Sequence, residues 1–445
     1  MYRKKNVDLK LWFNKPNRKP LIIRGARQVG KSTLVKLFAR DDQLELLEIN
    51  FERNPHYAQF FETKDPKEII NLLEINFNIT INDKTLLFLD EIQAQPQILQ
   101  CLRYFYEEMP SLAIIAAGSL LDFELRSPSY SIPVGRISYM YLQPMGFVEF
   151  LLADKQDKLA KYIESYAFGM DIPKIIHQKL SREFKAYMAV GGMPEAVKIY
   201  TQTHSLKQTE EVKQDLLATF QNDFAKYSKQ HQFQLIGKVF AQISKNIGHK
   251  IKYTNLSRES KSADVANVID LLAGARVISK IVRTSANGLP LAAEANFKFF
   301  KVIFLDVGLV STQLNASAQL LSRQDVLLIN NGELAEQWIG QALLLATHSN
   351  QTPELYYWAR EKKSSSAEVD YVIVNSDKIL AVEVKAGKTG SLKSLHLFMQ
   401  EKQSRMSIRF NSDQPSYYAK DKIMSLPLYI AEQTYAIINS MKHSS

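Results

Sequence analysis

A single cysteine among 445 residues, Cys101, rules out an intramolecular disulfide framework and fits a reducing cytosol. It lies in the apolar stretch Ile98-Leu-Gln-Cys-Leu102, so a buried core thiol is expected rather than a reactive one. No apolar run approaches the roughly 20 residues needed to span a bilayer. The basic N-terminus, Met1-Tyr-Arg-Lys-Lys5, has no apolar signal core behind it. A cytoplasmic chain without a membrane partner is expected. Internal repeats and long low-complexity segments are also missing, which excludes a repeat architecture; only Lys442-His-Ser-Ser445 reads as frayed. Acidic excess is missing too: Lys and Arg outnumber Asp and Glu by 56 to 46, a balance compatible with nucleic acid as a partner. The length allows two or three domains with separate cores.

What is present is concentrated first in Gly25, Ala26, Arg27, Gln28, Val29, Gly30, Lys31, Ser32 and Thr33. They fit the phosphate-binding pattern G-x-x-x-x-G-K-[ST], between the apolar run Leu21-Ile22-Ile23 and the helix-compatible Leu34-Val-Lys-Leu-Phe-Ala39. The glycines let consecutive N–H groups turn toward a phosphate chain, and the helix N-terminus adds its positive end. Lys31 can reach β/γ-phosphates, and the Ser32 hydroxyl can ligate Mg²⁺. A second apolar run, Thr85-Leu-Leu-Phe-Leu89, ends in Asp90-Glu91, as a buried parallel strand delivering carboxylates to a ligand would. Asp90 would hold Mg²⁺ or its water, and Glu91 would polarise the attacking water.

Strand and helix signals alternate over the first 150 or so residues, which predicts a parallel sheet covered on both faces. The expected strands are Leu21–Arg24, Leu44–Phe51, Thr85–Leu89, Leu112–Gly118 and Ile137–Gln143. Ser119 follows the fourth and is either a γ-phosphate contact or an ordinary turn residue. Arg136, in Ser131-Ile-Pro-Val-Gly-Arg136, is either an arginine acting on a transferring phosphoryl group, in cis or from a neighbouring subunit, or a structural partner of a carboxylate.

From Leu151 to about Lys229 the pattern is helical, with a break at Met188-Ala-Val-Gly-Gly-Met-Pro-Glu195. From Phe233 to about Val310 a winged-helix-like unit is predicted. In it Ser262 caps the helix Ala263–Leu272, and strands Val277–Thr284 and Lys298–Asp306 form the wing. Such a unit serves either as a packing module or as a DNA reader, with Lys250, Lys252, Arg258 and Lys261 nearby. The last third returns to α/β, with Asn331-Gly332 before a helix at Glu333–Ala346, and strands at Leu355–Trp358, Val369–Val374 and Ile379–Lys385.

Asp370 and Glu383-Val-Lys385 form D-x₁₂-E-x-K. Glu383 and Lys385 share one face of a strand, and Glu336 on the preceding helix could add a third carboxylate. These groups either hold a second Mg²⁺ or Mn²⁺ that activates water, with Lys385 stabilising charge on a scissile phosphate, or form a structural charge cluster.

The segments Arg24-Gly-Ala-Arg-Gln-Val-Gly-Lys-Ser32, Phe88-Leu-Asp-Glu-Ile-Gln93, Ala117-Gly-Ser-Leu120, Pro133-Val-Gly-Arg136, Pro144-Met-Gly-Phe-Val-Glu-Phe150 and Gly191-Gly-Met-Pro-Glu195 together resemble a family of prokaryotic AAA-type P-loop ATPases. Asp306-Val-Gly308, Gly332-Glu-Leu-Ala-Glu336, Glu368-Val-Asp370 and Glu383-Val-Lys-Ala-Gly387 are similar to that family's C-terminal domain of unknown function 4143. The resemblance implies an α/β chain of four parts: a P-loop ATPase sheet (1–155), a helical lid or linker (156–230), a winged-helix-like part (231–320) and a PD-(D/E)xK restriction-nuclease-like domain (321–445). It implies ATP and Mg²⁺ at Gly25–Ser32 and Asp90, with Glu91 hydrolytic, and a nuclease-like centre at Glu336, Asp370, Glu383 and Lys385. Two functions follow as expectations. In one, ATP turnover gates a DNA-binding or DNA-cutting domain. In the other, the ATPase is a switch on a silent recognition module for protein or nucleic acid. Self-association enters if Arg136 acts in trans.

Overall fold

The computed structural model describes residues 1–119, 135–225, 230–322, 332–360, 367–385 and 392–441. Leu120, Ser131–Val134, Asn331, Ala386-Gly387 and the last four residues, all parts of the expectations above, lie outside them.

Five short strands form the N-terminal sheet: β1 (Leu21–Arg24), β2 (Glu45–Asn50), β3 (Thr85–Asp90), β4 (Ala113–Ala117) and β5 (Ser138–Tyr141). Their order is β2-β3-β4-β1-β5, and every pair is parallel. Near-continuous apolar runs suit such strands, because both faces are buried. Leu21, Ile23, Leu86, Phe88 and Ile115 enter one core, and Ile22, Leu87, Leu89 and Ile114 the other. The helix Pro66–Phe77 supplies Ile69, Ile70 and Leu73 to the second core; its N-terminus is capped by Asp65, which accepts from Lys67 N–H and Glu68 N–H. Cys101 is buried there, and burial pushes its thiol up to about 11. Because β1 lies between β4 and β5, ligands are expected where β1, β3 and β4 end.

Helices Phe147–Ala153, Asp157–Glu164, Lys174–Val190, Pro194–Thr203 and Leu206–Ala225 follow, in agreement with the helical pattern, and a further helix, Gln230–Ile243, runs into the segment expected to be winged-helix-like. No described helix is long and apolar enough to cross a membrane. The C-terminal sheet has eight strands. They are β6 (Ile278–Thr284), β7 (Ala295–Phe304), β8 (Leu355–Ala359), β9 (Glu368–Asn375), β10 (Lys378–Val384), β11 (Ser407–Asn411), β12 (Ser416–Tyr418) and β13 (Ile423–Pro427), in the order β12-β13-β11-β10-β9-β8-β6-β7.

The hairpin expected as a free wing is instead one end of this sheet. β6 pairs antiparallel with β7 and parallel with β8, so it has a neighbour on both sides. The apolar Ile281 and Val282 are buried there, which a solvated wing would not provide. The following expectation also shifts: the helix runs Ser262–Gly274 with Lys261 at the cap position and no capping side-chain bond. One apolar core runs from Leu34 and Phe38 of the helix Lys31–Asp41 through Phe184 and Tyr187 to Trp338 of the helix Glu333–Ala346 and to Tyr371 and Ile408 of the second sheet. At its middle the Tyr187 and Trp338 rings meet edge-on at 4.9 Å.

Candidate nucleotide site and C-terminal charge cluster

The phosphate-type loop leaves the C-terminal end of β1 and enters the helix Lys31–Asp41. Gly25 allows a close approach, since a Cβ there would stand 2.4 Å from the Leu142 carbonyl oxygen. Gly30 has φ +91°, a left-handed conformation that favours glycine. Ala26 and Val29 are buried, Gln28 is left-handed, and Thr33 is exposed. Lys31 is buried and its Nζ donates to the carbonyls of Gly25 (3.1 Å) and Ala26 (2.9 Å), arching the loop over its own ammonium. Burial pulls Lys31 down to about 8, against the opposing pull of Glu91 and Asp90.

The Ser32 hydroxyl donates to both Asp90 oxygens, at 3.0 and 2.9 Å, and Asn50 Nδ2 donates to Asp90 Oδ2 at 3.2 Å. Burial raises the Asp90 carboxyl above its usual range, while the Ser32 bond lowers it. A hydroxyl and a carboxylate already side by side at the mouth of the loop form a donor set that fits the Mg²⁺ of a bound nucleotide. Glu91 sits next, left-handed at φ +50°, with its Oε2 accepting from Gln93 Nε2 at 2.6 Å. Gln93 packs under the end of β4: a Cβ on Gly118 would lie 2.4 Å from its Oε1. That brings the Gly118-Ser119 turn beside the acidic pair, and Ser119 is buried.

Two arginines occupy positions that their sequence context does not reveal. Arg27 of the loop pairs with Asp223 at the end of the helix Leu206–Ala225, and reaches Glu52 at 4.0 Å. Arg136 precedes β5, whose Ser138 is level with Leu21, the first residue of β1. It therefore lies at the opposite end of the sheet from the loop, roughly 15 Å away at about 3.3 Å per residue. There its Nε donates to Glu107 Oε1 at 2.8 Å.

Sequence reading missed Arg3. Its guanidinium is buried and spans three acceptors: Val29 O of the loop (2.7 Å), Gln143 O (2.7 Å) and Glu149 Oε1 (3.2 Å). Glu149 also accepts from Lys4 N–H (2.6 Å) and Gly146 N–H (3.3 Å). Glu432, far down the chain, accepts from Phe147 N–H at the start of the same helix. Asp306 ties another junction: it caps the helix Val307–Gln313 through Gly308 N–H (2.9 Å) and Leu309 N–H (3.2 Å), and accepts from Gly192 N–H at 2.6 Å. The glycine-containing motifs at 144–150, 191–195 and 306–308 thus meet one another.

In the C-terminal part Glu336, Asp370, Glu383 and Lys385 do converge. Asp370 Oδ2 accepts from Val384 N–H at 2.8 Å, and Lys385 Nζ lies 2.9 Å from Glu383 Oε1. The strand carrying Glu383 has no solvated polar face, because Ala381, Val382 and Glu383 are all buried. An unexpected cation stands in the middle. Lys301 of β7 is 2 % exposed, and its Nζ lies 3.0 Å from Glu336 Oε1, 2.7 Å from Glu368 Oε1 and 3.8 Å from Asp370 Oδ1. Lys250 closes the outer side at 2.7 Å from Glu368 Oε2. Burial and the Asp370 charge push Glu336 and Glu383 well above the usual carboxylate range. Burial works against the Lys301 charge, but Glu336, Asp370 and Glu368 outweigh it and hold the ammonium protonated.

This arrangement does not fit the second divalent ion expected at Glu336, Asp370 and Glu383. An ammonium already occupies the space that two of their oxygens face. Among the described residues no group of three His, Cys, Asp or Glu side chains is disposed to hold a metal. The signal for Lys301 was available as a lone charge in the apolar stretch Phe299-Phe-Lys-Val-Ile-Phe304.

Known families divide the chain in a compatible way. An AAA domain matches residues 17–151, a domain of unknown function (DUF8612) residues 181–320, and a second domain of unknown function (DUF4143) residues 331–429. No curated protein matches in sequence. Similar solved structures include AMPPCP-bound DnaA from Aquifex aeolicus, at 14% identity over 62% of this chain and 90% of that one, TM-score 0.30. They also include the RuvB Holliday junction branch migration motor of Thermotoga maritima, at 14% identity over 62% and 89%, TM-score 0.31. The family matches, not these distant likenesses, carry the assignment.

Proposed function

We propose that this chain, an AAA-type ATPase domain joined to a C-terminal DUF4143 domain, hydrolyses ATP and uses its nucleotide state to control a C-terminal module that recognises DNA without cutting it. The observation that carries the ATPase reading is the contact of Ser32 Oγ with Asp90 beside a buried Lys31, at the C-terminal edge of the parallel sheet. Loop amides and the helix N-terminus would hold the phosphate chain, with Lys31 neutralising the β/γ oxygens. Mg²⁺ held near Ser32 and Asp90 would add charge stabilisation when bound. Glu91, released from Gln93, would take a proton from the attacking water, and Ser119 would orient that water or the γ-phosphate.

Coupling is supported by the junction. Arg3 joins the loop carbonyl of Val29 to Glu149, and Glu149 and Glu432 share the N–H groups that open the helix Phe147–Ala153. A shift of the loop on nucleotide binding would reach the C-terminal module through this guanidinium. Recognition is favoured over cleavage because the carboxylate cluster is neutralised by lysines. DNA is favoured as the ligand by the net charge of +10.

The test is nucleotide binding and turnover in Lys31→Ala and Glu91→Gln. Lys31→Ala should lose most ATP affinity. Glu91→Gln should bind normally and hydrolyse about a hundredfold more slowly or worse. Equal loss of binding in both would sink the division of roles. Plasmid DNA with Mg²⁺ or Mn²⁺, with and without ATP, should be bound and left intact. Nicking would restore the nuclease reading, and no binding would turn the search to a protein ligand.

A further inference from the structure

We infer that Lys301 is a resident cation that takes the place of a divalent metal in the C-terminal carboxylate cluster, so that the cluster is a latent metal site closed by its own side chain. The inference rests on the cluster's geometry and on the recognition reading of the module. It is independent of the ATPase assignment, so metal titration and ATP turnover fail separately.

Three facts support it. Lys301 arrives from β7, while its carboxylate partners come from the helix Glu333–Ala346 (Glu336) and from β9 (Glu368 and Asp370). One ammonium therefore links three elements of the fold, the usual structural office of a bound metal. Next, the side chain is almost fully buried, and its Nζ stands over the Tyr357 ring at 5.5 Å from the centroid. Swinging it into solvent would break its contacts with Glu336 and Glu368 and expose the buried stem. Finally, the charges are close to balance without a metal. Glu336, Glu368, Asp370 and Glu383 face Lys250, Lys301 and Lys385. A divalent ion needs oxygens at about 2.0–2.6 Å, and would have to displace an ammonium that already contacts two of the same carboxylates. With that ammonium replaced by an apolar side chain of similar length, the carboxylates would lose their counter-charge and accept an ion from solution.

The experiment is a Mn²⁺ titration of the nucleotide-free full chain, followed by the EPR signal of free Mn²⁺, in wild type, Lys301→Met, Lys301→Met/Asp370→Asn and Asp370→Asn. Lys301→Met should gain one site about tenfold or more tighter than any in wild type, and the gain should vanish in the double variant. Wild type and Asp370→Asn should titrate alike. Folded Lys301→Met without a new site overturns the inference. So does a wild-type site that Asp370→Asn removes, because the ion would then bind with Lys301 in place. If Lys301→Met does not fold, the wild-type and Asp370→Asn pair decides alone: identical curves uphold the closed cluster, and a lost site refutes it.

Discussion

Arg3 is the side chain through which the nucleotide loop is held from outside. A lysine could not replace it, because one ammonium cannot span Val29 O, Gln143 O and the Glu149 carboxylate in fork geometry. Arg3→Met leaves Glu149 buried without its guanidinium and should cost about 3 kcal/mol of stability, read by chemical denaturation. It should also weaken ATP binding about tenfold, read by a fluorescent nucleotide; unchanged affinity would remove Arg3 from the coupling path. Glu432 offers a pH test at the same junction. Burial, with Glu149 adding to it, pushes its carboxyl up to about 7, while Lys4 and the Phe147 N–H act the other way. A carboxyl whose folded pKa lies above its unfolded value favours folding at low pH, and that advantage is lost as pH rises through the folded value. Wild type should therefore lose stability relative to Glu432→Gln between about pH 5 and pH 8. The gap is about 1 kcal/mol after discounting for the solvent that reaches this half-buried side chain. A stability difference that does not change with pH would show that Glu432 is ionised throughout.

At the scale of elements, close backbone packing decides where the two halves join. A Cβ on Gly192 would lie 1.9 Å from the Met145 carbonyl oxygen, and the Gly192 N–H is held by Asp306. Gly192→Ala must separate the turn after β5 from the break between Lys174–Val190 and Pro194–Thr203. It should destabilise by about 3 kcal/mol or more, as for other overpacked cores. A neutral result would mean that the junction yields freely. The β6–β7 hairpin gives a second test. An interior strand flanked by β8 and β7 should show β6 amides protected from hydrogen exchange nearly as well as those of β9. Fast exchange in β6 would return the hairpin to the role of a free wing. Both strands were legible as apolar runs, but the second neighbour of β6 was not, because β8 begins more than 70 residues beyond the end of β6 and pairing partners leave no local signature.

For the whole molecule, the place of Arg136 and the net charge of +10 each set a test. With Arg136 at the far end of its own sheet, a catalytic role requires a neighbouring copy. Arg136→Ala and Glu91→Gln proteins, each poorly active, should then recover turnover when mixed. Absence of recovery, with Arg136→Ala hydrolysing normally, assigns Arg136 to its bond with Glu107. The predicted DNA binding should weaken steeply with salt, since phosphate contacts by Lys and Arg release counter-ions. A salt-independent affinity would point to another kind of ligand.

The sequence by itself determined the parts whose chemistry is local. Gly25, Gly30, Lys31 and Ser32 announce their loop because the backbone turn, the ammonium and the hydroxyl must all fall within one strand–turn–helix step. The runs ending at Asp90 and Ala117 read as buried strands because both sheet faces are apolar. Asp370, Glu383 and Lys385 were also readable, since a two-residue strand period sets their shared side. Tertiary structure alone decided what neutralises them. Lys301 lies 69 residues before Asp370, and only the pairing of β7, β6, β8 and β9 carries it across. It decided the place of Arg3 and Glu432 for the same reason. A buried ion pair between distant segments is selected by the packing that removes water from both partners, and that packing exists only after the chain has folded.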